Sequence, residues 1–223
     1  MATSDTAPTS SAYGALCRTF IATLEFMPGP QQLQSFDAEG DDIPLMLARS
    51  WADSTFELLR LSKERRRRNA SLDSMYERMD GDGITWDAVQ ESLRQVWSTD
   101  CLLVLSAANL EAWVRKLYIA RRRRVPEPLE NLKRLRNAIE HLDEAELDEE
   151  SWTATARTAA ARTRGIGALP NQSLAIGLTG DGKLFGVITH DELEGLVAGL
   201  LDELAQELDE YARDWFEFVS SGR

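Results

Sequence analysis

The sequence is poor in cysteine, histidine and long apolar stretches, and each shortage excludes a class of protein. Cys17 and Cys101 are the only cysteines among 223 residues. Neither stands in a Cys-x-x-Cys or Cys/His group, so neither a disulfide framework nor a structural zinc site is expected. No uncharged apolar stretch approaches the roughly 20 residues of a membrane span. Residues 1–11 are small and polar, unlike a signal peptide. These absences predict a cytoplasmic protein that has no membrane segment.

Positive charge is also scarce. Lys and Arg number 25 against 37 Asp and Glu, which leaves a formal charge of −12. A surface of this sign is unsuited to coating DNA or an anionic membrane, because such binding needs a basic footprint. The deficit is uneven along the chain: residues 115–136 hold nine basic and two acidic residues, whereas 140–150 hold seven carboxylates and 191–217 hold ten. Any nucleic-acid contact is therefore expected within 115–136.

The spacing of apolar residues predicts a mainly α protein. We expect a disordered tail at 1–12 followed by one domain over 13–223, an up-and-down helical bundle. Leu174, Ile176 and Leu178 alternate with small residues, and residues 184–189 are again strand-like, so a small inserted β-hairpin is predicted at about 173–189. The predicted helices cover 15–27, 45–68, a segment from the N-cap Thr85 to Arg124, 127–148, 152–164, and a segment from Thr189 or Asp191 to Val219.

The two histidines lie in different sequence contexts. His190 stands among acidic residues at the predicted start of the last helix, and we interpret it as a helix-start residue without a chemical partner. His141 falls inside a predicted helix, five residues after Arg136 and four after Asn137. Asn137 and His141 would be about 40° apart around that helix. A guanidinium that holds a phosphate and an imidazole that moves a proton are the minimum equipment for metal-free phosphodiester cleavage.

The segment LRNAIEH at 135–141 resembles the signature of the HEPN superfamily of helical bundles, an Arg and a polar residue followed after a short gap by His. The resemblance implies a homodimeric, metal-independent RNA endonuclease that needs no cofactor. It also implies a bacterial or phage-related defence or toxin–antitoxin system, with an antitoxin or another protein as partner. The resemblance also implies a role for each motif residue: Arg136 would polarise the scissile phosphate, His141 would transfer a proton, and Asn137 would orient one or both of these side chains. Asp143 replaces the Tyr of toxins silenced by a nucleotidyltransferase, so that control is not expected.

A basic run precedes the motif and has two interpretations. Arg121, Arg122, Arg123, Arg124 and Arg134 are candidates for an RNA path into the site. Arg residues near a helix C-terminus also complement the helix dipole without any ligand.

Two other functional classes remain open. A non-catalytic binding or scaffold protein would use the same bundle, with the acidic last helix as the contact surface. An acidic mimic of nucleic acid would occupy a basic partner, although the Arg clusters disfavour it. The carboxylates at 143–144 and 148–150 are read as a solvated face rather than a metal site, because hard cations need converging ligands.

Overall fold

The computed structural model describes residues 42–79, 83–157 and 165–221, and most of these residues are helical. Four helices carry the fold: α1 (Asp42–Glu77), α2 (Trp86–Ala120), α3 (Glu130–Glu140) and α4 (His190–Ser220). Two small antiparallel sheets occupy the chain between α3 and α4. The predicted mainly α architecture is therefore confirmed. The predicted tail at 1–12 and helix at 15–27 lie outside the described residues.

The two longest helices, α1 and α2, form an antiparallel pair. Thr55 of α1 lies 2.9 Å from Ser106 of α2 between hydroxyl oxygens, and Ser62 hydrogen-bonds to Asp100. Moving toward the C-terminus of α1 therefore leads toward the N-terminus of α2, as in an antiparallel pair. The N-cap predicted for α2 is confirmed, since the Thr85 side chain accepts from the backbone N–H of Ala88.

The predicted end of α1 at Arg68 is wrong, because the helix continues to Glu77. The run Arg65–Arg68 lies inside the helix, and two of its members bind the partner helix. Arg65 Nη1 donates to the Gln95 carbonyl at 3.1 Å, and Arg66 pairs with Asp100 at 2.7 Å. Arg has a high helix propensity, and these contacts extend the packed length of α1.

The predicted helix over 127–148 is much shorter in the structure. It covers Glu130–Glu140, and His141 is its C-cap residue, with φ −112° and ψ 24°, rather than a mid-helix residue. A 3₁₀ turn over Leu142–Glu144 follows. Carboxylates are unfavourable at the negative end of a helix dipole, so the acidic run from 140 opposes continuation.

Strands replace two further predicted helical segments. Strand β1 (Ala145–Asp148) pairs with β2 (Thr153–Ala156), which in turn pairs with β3 (Ser173–Ala175). Ala145 stands opposite Ala156, and Thr153 opposite Ala175. The predicted helix over 152–164 is therefore wrong at 153–156, where β-branched Thr alternates with Ala and places Ala154 in the core.

The predicted β-hairpin is present in a different form. Strand β4 (Lys183–Leu184) pairs with β5 (Ile188–Thr189), not with the segment 174–178. Phe185 and Gly186 have φ of +54° and +73°, so the turn of this hairpin lies there. The residues 179–182 also form a turn, in which the Gly182 N–H donates to the Thr179 carbonyl at 3.0 Å. The hairpin leads into α4, whose N-cap Thr189 forms a capping box with Glu192.

Candidate functional site

Arg136 and Asn137 stand on consecutive positions of α3, which the core holds in place. Leu132, Leu135 and Ala138 of this helix are fully buried. Because these three residues recur every three positions and face the core, the opposite side of α3 faces solvent. Arg136 is half-exposed there, and its Nε lies 2.9 Å from Glu140 Oε1, one turn later.

A basic cleft of about 400 Å³ opens between α2 and α3, and we refer to it as the α2–α3 cleft. Arg136 and Asn137 line it together with Lys133 of α3 and Arg115 and Lys116 of α2. Four cations thus face one cavity, which is the electrostatic setting that a phosphate group requires. The other lining residues are Ala108, Glu111, Ala112, Ile119 and Pro128.

The contacts of the α2 residues explain how the cleft is held open. Arg115 Nη1 donates to the Pro126 carbonyl at 2.7 Å, and Lys116 Nζ lies 3.8 Å from the centroid of the Trp113 ring. Glu111 is buried, and its Oε1 accepts the Leu129 N–H at 2.9 Å. The carboxylate thus has a structural task at the start of α3, and the cations dominate the cleft.

His141 lies past the end of α3 and is not among the described residues that line the cleft. Its Nδ1 is 3.0 Å from Glu144 Oε1, and the side chain is half-exposed. A carboxylate at Nδ1 favours the proton on that nitrogen and makes Nε2 the atom that can accept a proton. A Cβ on Gly165 (φ +60°) would stand 3.3 Å from His141 Cβ, so this glycine allows the close approach of the 165–168 turn.

The structure therefore brings together two of the three motif residues, Arg136 and Asn137, and places His141 at the adjacent helix end. Sequence reasoning left Arg115, Lys116 and Lys133 out of the candidate site. The basic run at 115–136 is the signal that would have found these three residues. In addition, Ala112 and Lys116 are one helical turn apart, which places these two on one face of α2.

The five candidate RNA-binding arginines have different surroundings, and none of them is among the described residues that line the α2–α3 cleft. Arg121 is the C-cap residue of α2, and Arg122 is exposed with φ +57°. Arg123 pairs with Glu207 at 3.0 Å and Asp214 at 3.4 Å on α4, which is a structural role. Arg124 lines a groove beside α4, and Arg134 is exposed on α3. The lining of the α2–α3 cleft comes from other residues.

A second polar cluster surrounds His190, and it corrects the expectation that this histidine has no partner. His190 Nε2 lies 2.6 Å from Ser62 Oγ, and Ser62 also hydrogen-bonds to Asp100 Oδ1. Arg66 donates to Asp100 Oδ2 from Nε at 3.0 Å and from Nη2 at 2.7 Å. Since Ser62 donates its one proton to the carboxylate, its oxygen accepts from His190, which carries a proton on Nε2.

Burial decides what this second cluster can do. Ser62, Asp100 and His190 are 0%, 2% and 9% exposed, so a substrate has no access to the serine. Burial lowers the pKa of His190, and the nearby Arg66 guanidinium adds to that shift. The cluster therefore ties α1, α2 and the start of α4 together as a structural clamp, in agreement with the helix-start interpretation.

Cys101 has no chemical role at its position. It is a free, buried thiol on α2, and burial raises its pKa to about 12. The thiolate is the reactive form of cysteine, so this side chain behaves as a small apolar group.

No protein family, curated protein or solved structure matches the chain. Within the described ranges, no three or more His, Cys, Asp or Glu side chains are grouped so as to hold a metal ion. In the same part of the chain, no helix is both long enough and apolar enough to cross a membrane.

Proposed function

We propose that this chain is a metal-independent RNA endonuclease of the HEPN type that acts in a bacterial or phage-related defence or toxin–antitoxin system. The observation that carries the proposal is the α2–α3 cleft, where Arg136 and Asn137 of the motif face the cations of Arg115, Lys116 and Lys133. A cleft with four cations in a protein of charge −12 supports local binding of a phosphodiester.

The chemistry assigns one task to each motif residue. The RNA 2′-oxygen attacks the adjacent phosphorus while the bond from phosphorus to the 5′-oxygen breaks, which leaves a cyclic phosphate and a free 5′-hydroxyl. His141 Nε2 accepts the proton of the 2′-hydroxyl and delivers it to the leaving 5′-oxygen, since Glu144 engages Nδ1 at 3.0 Å. Arg136 stabilises the charge that develops on the phosphate oxygens. Asn137 orients one or both of these side chains.

The position of His141 supports a composite site made by two copies of the chain. His141 lies outside the cleft that Arg136 lines, so a second copy must supply the imidazole or close the distance. A stripe on α2 suits the contact, because its six positions, four of them apolar, recur with the three- and four-residue spacing of a coiled-coil seam: Leu102, Leu105, Asn109, Ala112, Lys116 and Ile119. The end of the stripe at 112–119 also lines the α2–α3 cleft, so a second copy on the stripe lies next to that cleft. Leu102 and Ile119 on this stripe are 55% and 62% exposed.

Single substitutions test the proposal directly. Arg136→Ala and His141→Ala should each reduce cleavage of a generic RNA by about 10²-fold or more, the usual range for general acid–base groups. Arg60→Ala is a matched control, because Arg60 forms an exposed pair with Glu64 one turn later on α1, as Arg136 does with Glu140. Induced expression of the wild type, but not of His141→Ala, should arrest bacterial growth. Equal cleavage by wild type and His141→Ala would refute the nuclease.

A non-catalytic binding or scaffold protein is the second candidate, and one contact favours it. Glu140 Oε1 already engages Arg136 Nε at 2.9 Å, so the guanidinium that would hold the phosphate has a carboxylate partner within the chain. In that case purified protein should bind RNA or a protein partner without cleaving RNA, and Arg136→Ala should weaken RNA binding while His141→Ala leaves it unchanged.

A further inference from the structure

A second cavity, of about 590 Å³, runs between α4 and the segment 124–129, and we refer to it as the α4 groove. It lies away from the motif, and the proposed nuclease chemistry does not use it. The wall on the α4 side is a stripe spaced by three or four residues, from Gly195 through Gly199, Glu203 and Gln206 to Glu210. At about 1.5 Å per residue this stripe is about 22 Å long, the length of four helical turns.

The first half of the groove is apolar and unusually open. Gly195 and Gly199 lie in the interior of α4, where glycine weakens a helix relative to alanine. A Cβ built on either residue meets no described atom within 4 Å, so packing among the described residues does not require these glycines. Leu196 and Leu200 flank them. The result is a shallow trough floored by helix backbone, into which another backbone can approach closely.

The second half of the groove is acidic. Glu203, Glu207 and Glu210 of α4 line it, Glu127 lines it from the opposite segment, and Arg124 is the one cation among the described lining residues. Arg123 already engages Glu207, which leaves three carboxylates to face an occupant. This polarity is opposite to that of the α2–α3 cleft, so the groove repels RNA and attracts a cation.

We propose that the α4 groove is a docking site for a cationic amphipathic helix of a partner protein. The apolar half of that helix packs against the trough at Gly195 and Gly199, and its Lys or Arg residues meet Glu203 and Glu210. Shape and charge thus select which end of the partner helix meets each half of the groove. The site does not depend on the proposed nuclease, because it shares no residue with the α2–α3 cleft.

A synthetic amphipathic peptide tests the site on the full chain. The probe is a fluorescently labelled Leu/Lys peptide of about 18 residues, with its leucines at one end of the contact face and its lysines at the other, long enough to span the groove. We expect saturable one-to-one binding by anisotropy, and weaker binding as salt is raised. A peptide of the same composition, with its leucines and lysines scrambled over the contact face so that neither end is apolar, should bind at least about tenfold more weakly, which corresponds to about 1.4 kcal/mol.

Substitutions in the groove separate docking from nonspecific charge attraction. Gly199→Leu fills the trough and should weaken binding about tenfold or more, while helical content by circular dichroism stays unchanged. The pair Glu203→Lys and Glu210→Lys should do the same. The pair Glu149→Lys and Glu150→Lys is the control, because it changes the net charge equally on the exposed turn between β1 and β2.

Several outcomes overturn the proposal. One is equal weakening by the two double variants, which would show that the peptide senses only net charge. Another is failure of the peptide to bind the wild-type chain. A photo-crosslinking amino acid at position 199 covers the remaining occupants: a cross-link to residues 1–41 of the same chain, or to a second copy, that excess peptide does not prevent assigns the groove to that occupant instead.

Discussion

At the scale of single residues, the two histidines lie in opposite surroundings. His190 is buried in a network of Ser62, Asp100 and Arg66, where each partner already accepts or donates within the protein. His141 is half-exposed, and one nitrogen is bound by Glu144 while the ring faces accessible space. The sequence placed the two histidines at different positions relative to the predicted helices. It did not predict the partners of His190, because these lie on α1 and α2, far from His190 along the chain.

The buried pair of Asp100 and Arg66 is expected to dominate the stability of the clamp. Asp100→Ala leaves the Arg66 guanidinium, which is 15% exposed, without its carboxylate, and it also removes the acceptor of Ser62. We expect a loss of about 3–5 kcal/mol in the free energy of unfolding, measured by urea denaturation. Glu91→Ala on the same helix breaks the exposed pair with Arg94 and should cost far less, because solvent screens that pair. Similar losses in the two variants would contradict the clamp.

The lowered pKa of His190 predicts how stability changes with pH. The charged groups around it are Arg66 and Lys63 of α1, Asp100 of α2 and Asp191 of α4. Because folding lowers this pKa, the unfolded chain binds the proton more tightly than the folded chain does. The contribution of the neutral His190 to the free energy of unfolding is therefore complete above the ordinary pKa of 6.5, and it is lost as the pH falls below that value.

His190→Gln removes the titration while its amide can still donate to Ser62. The free energy of unfolding of this variant should therefore fall less steeply than that of the wild type between about pH 7 and pH 5, and the two curves should run parallel above pH 7. Identical slopes below pH 7 would show that His190 does not titrate differently on folding.

At the scale of elements, the sequence predicted helices well where their apolar period is long and poorly where partners are distant. The start of α4 at Thr189 and the N-cap Thr85 follow from local chemistry. Strands of two to four residues at 145–189 gain stability only from pairing with segments elsewhere in the chain, so their sequence carries little period of its own. Tertiary pairing therefore overrode the helical interpretation at 145–148 and 153–156.

The same reasoning explains the outcome at the candidate site. Arg136 and Asn137 are consecutive residues in the interior of α3, about 100° apart around its axis, and both line the α2–α3 cleft. His141 falls one residue past the helix, so the angle of about 40° between it and Asn137 no longer applies. The cations of α2 reach the cleft through helix packing, which the sequence order does not reveal.

The capping box at the start of α4 gives a prediction for one element. Thr189 Oγ1 accepts the Glu192 N–H at 3.1 Å, and the Thr189 N–H donates to Glu192 Oε2 at 2.7 Å. Thr189→Ala should lower the free energy of unfolding by about 1 kcal/mol. Thr85→Ala removes a single, longer cap bond of 3.3 Å on α2 and should cost less. Thermal or urea denaturation of the two variants makes the comparison, and the reverse order would contradict it.

At the scale of the whole molecule, charge separates into surfaces of opposite sign. The α2–α3 cleft gathers Arg115, Lys116, Lys133 and Arg136, whereas the α4 groove gathers carboxylates. The net charge of −12 therefore conceals two surfaces that suit two different partners. One surface suits a phosphodiester, and the other suits a cationic protein segment.

A mixed dimer tests whether two chains build one nuclease site. Arg136→Ala and His141→Ala chains, carrying different affinity tags, are co-expressed and the mixed dimer is isolated through both tags. If Arg136 of one copy works with His141 of the other, one of the two sites is intact, and the mixed dimer should cleave RNA at about half the wild-type rate. Each parent dimer should be inactive. A mixed dimer as inactive as its parents would show that each site is built within one chain.

The contact surface of that dimer has its own control. Leu102→Glu places a charge on the exposed stripe of α2 and should convert the dimer to a monomer by light scattering, with loss of cleavage, because the second imidazole is then absent. Leu147 is similarly exposed, at 60% against 55%, but lies on β1. Leu147→Glu should leave both mass and cleavage unchanged. A dimer that survives Leu102→Glu with full activity would move the interface away from this stripe, and with it the composite site.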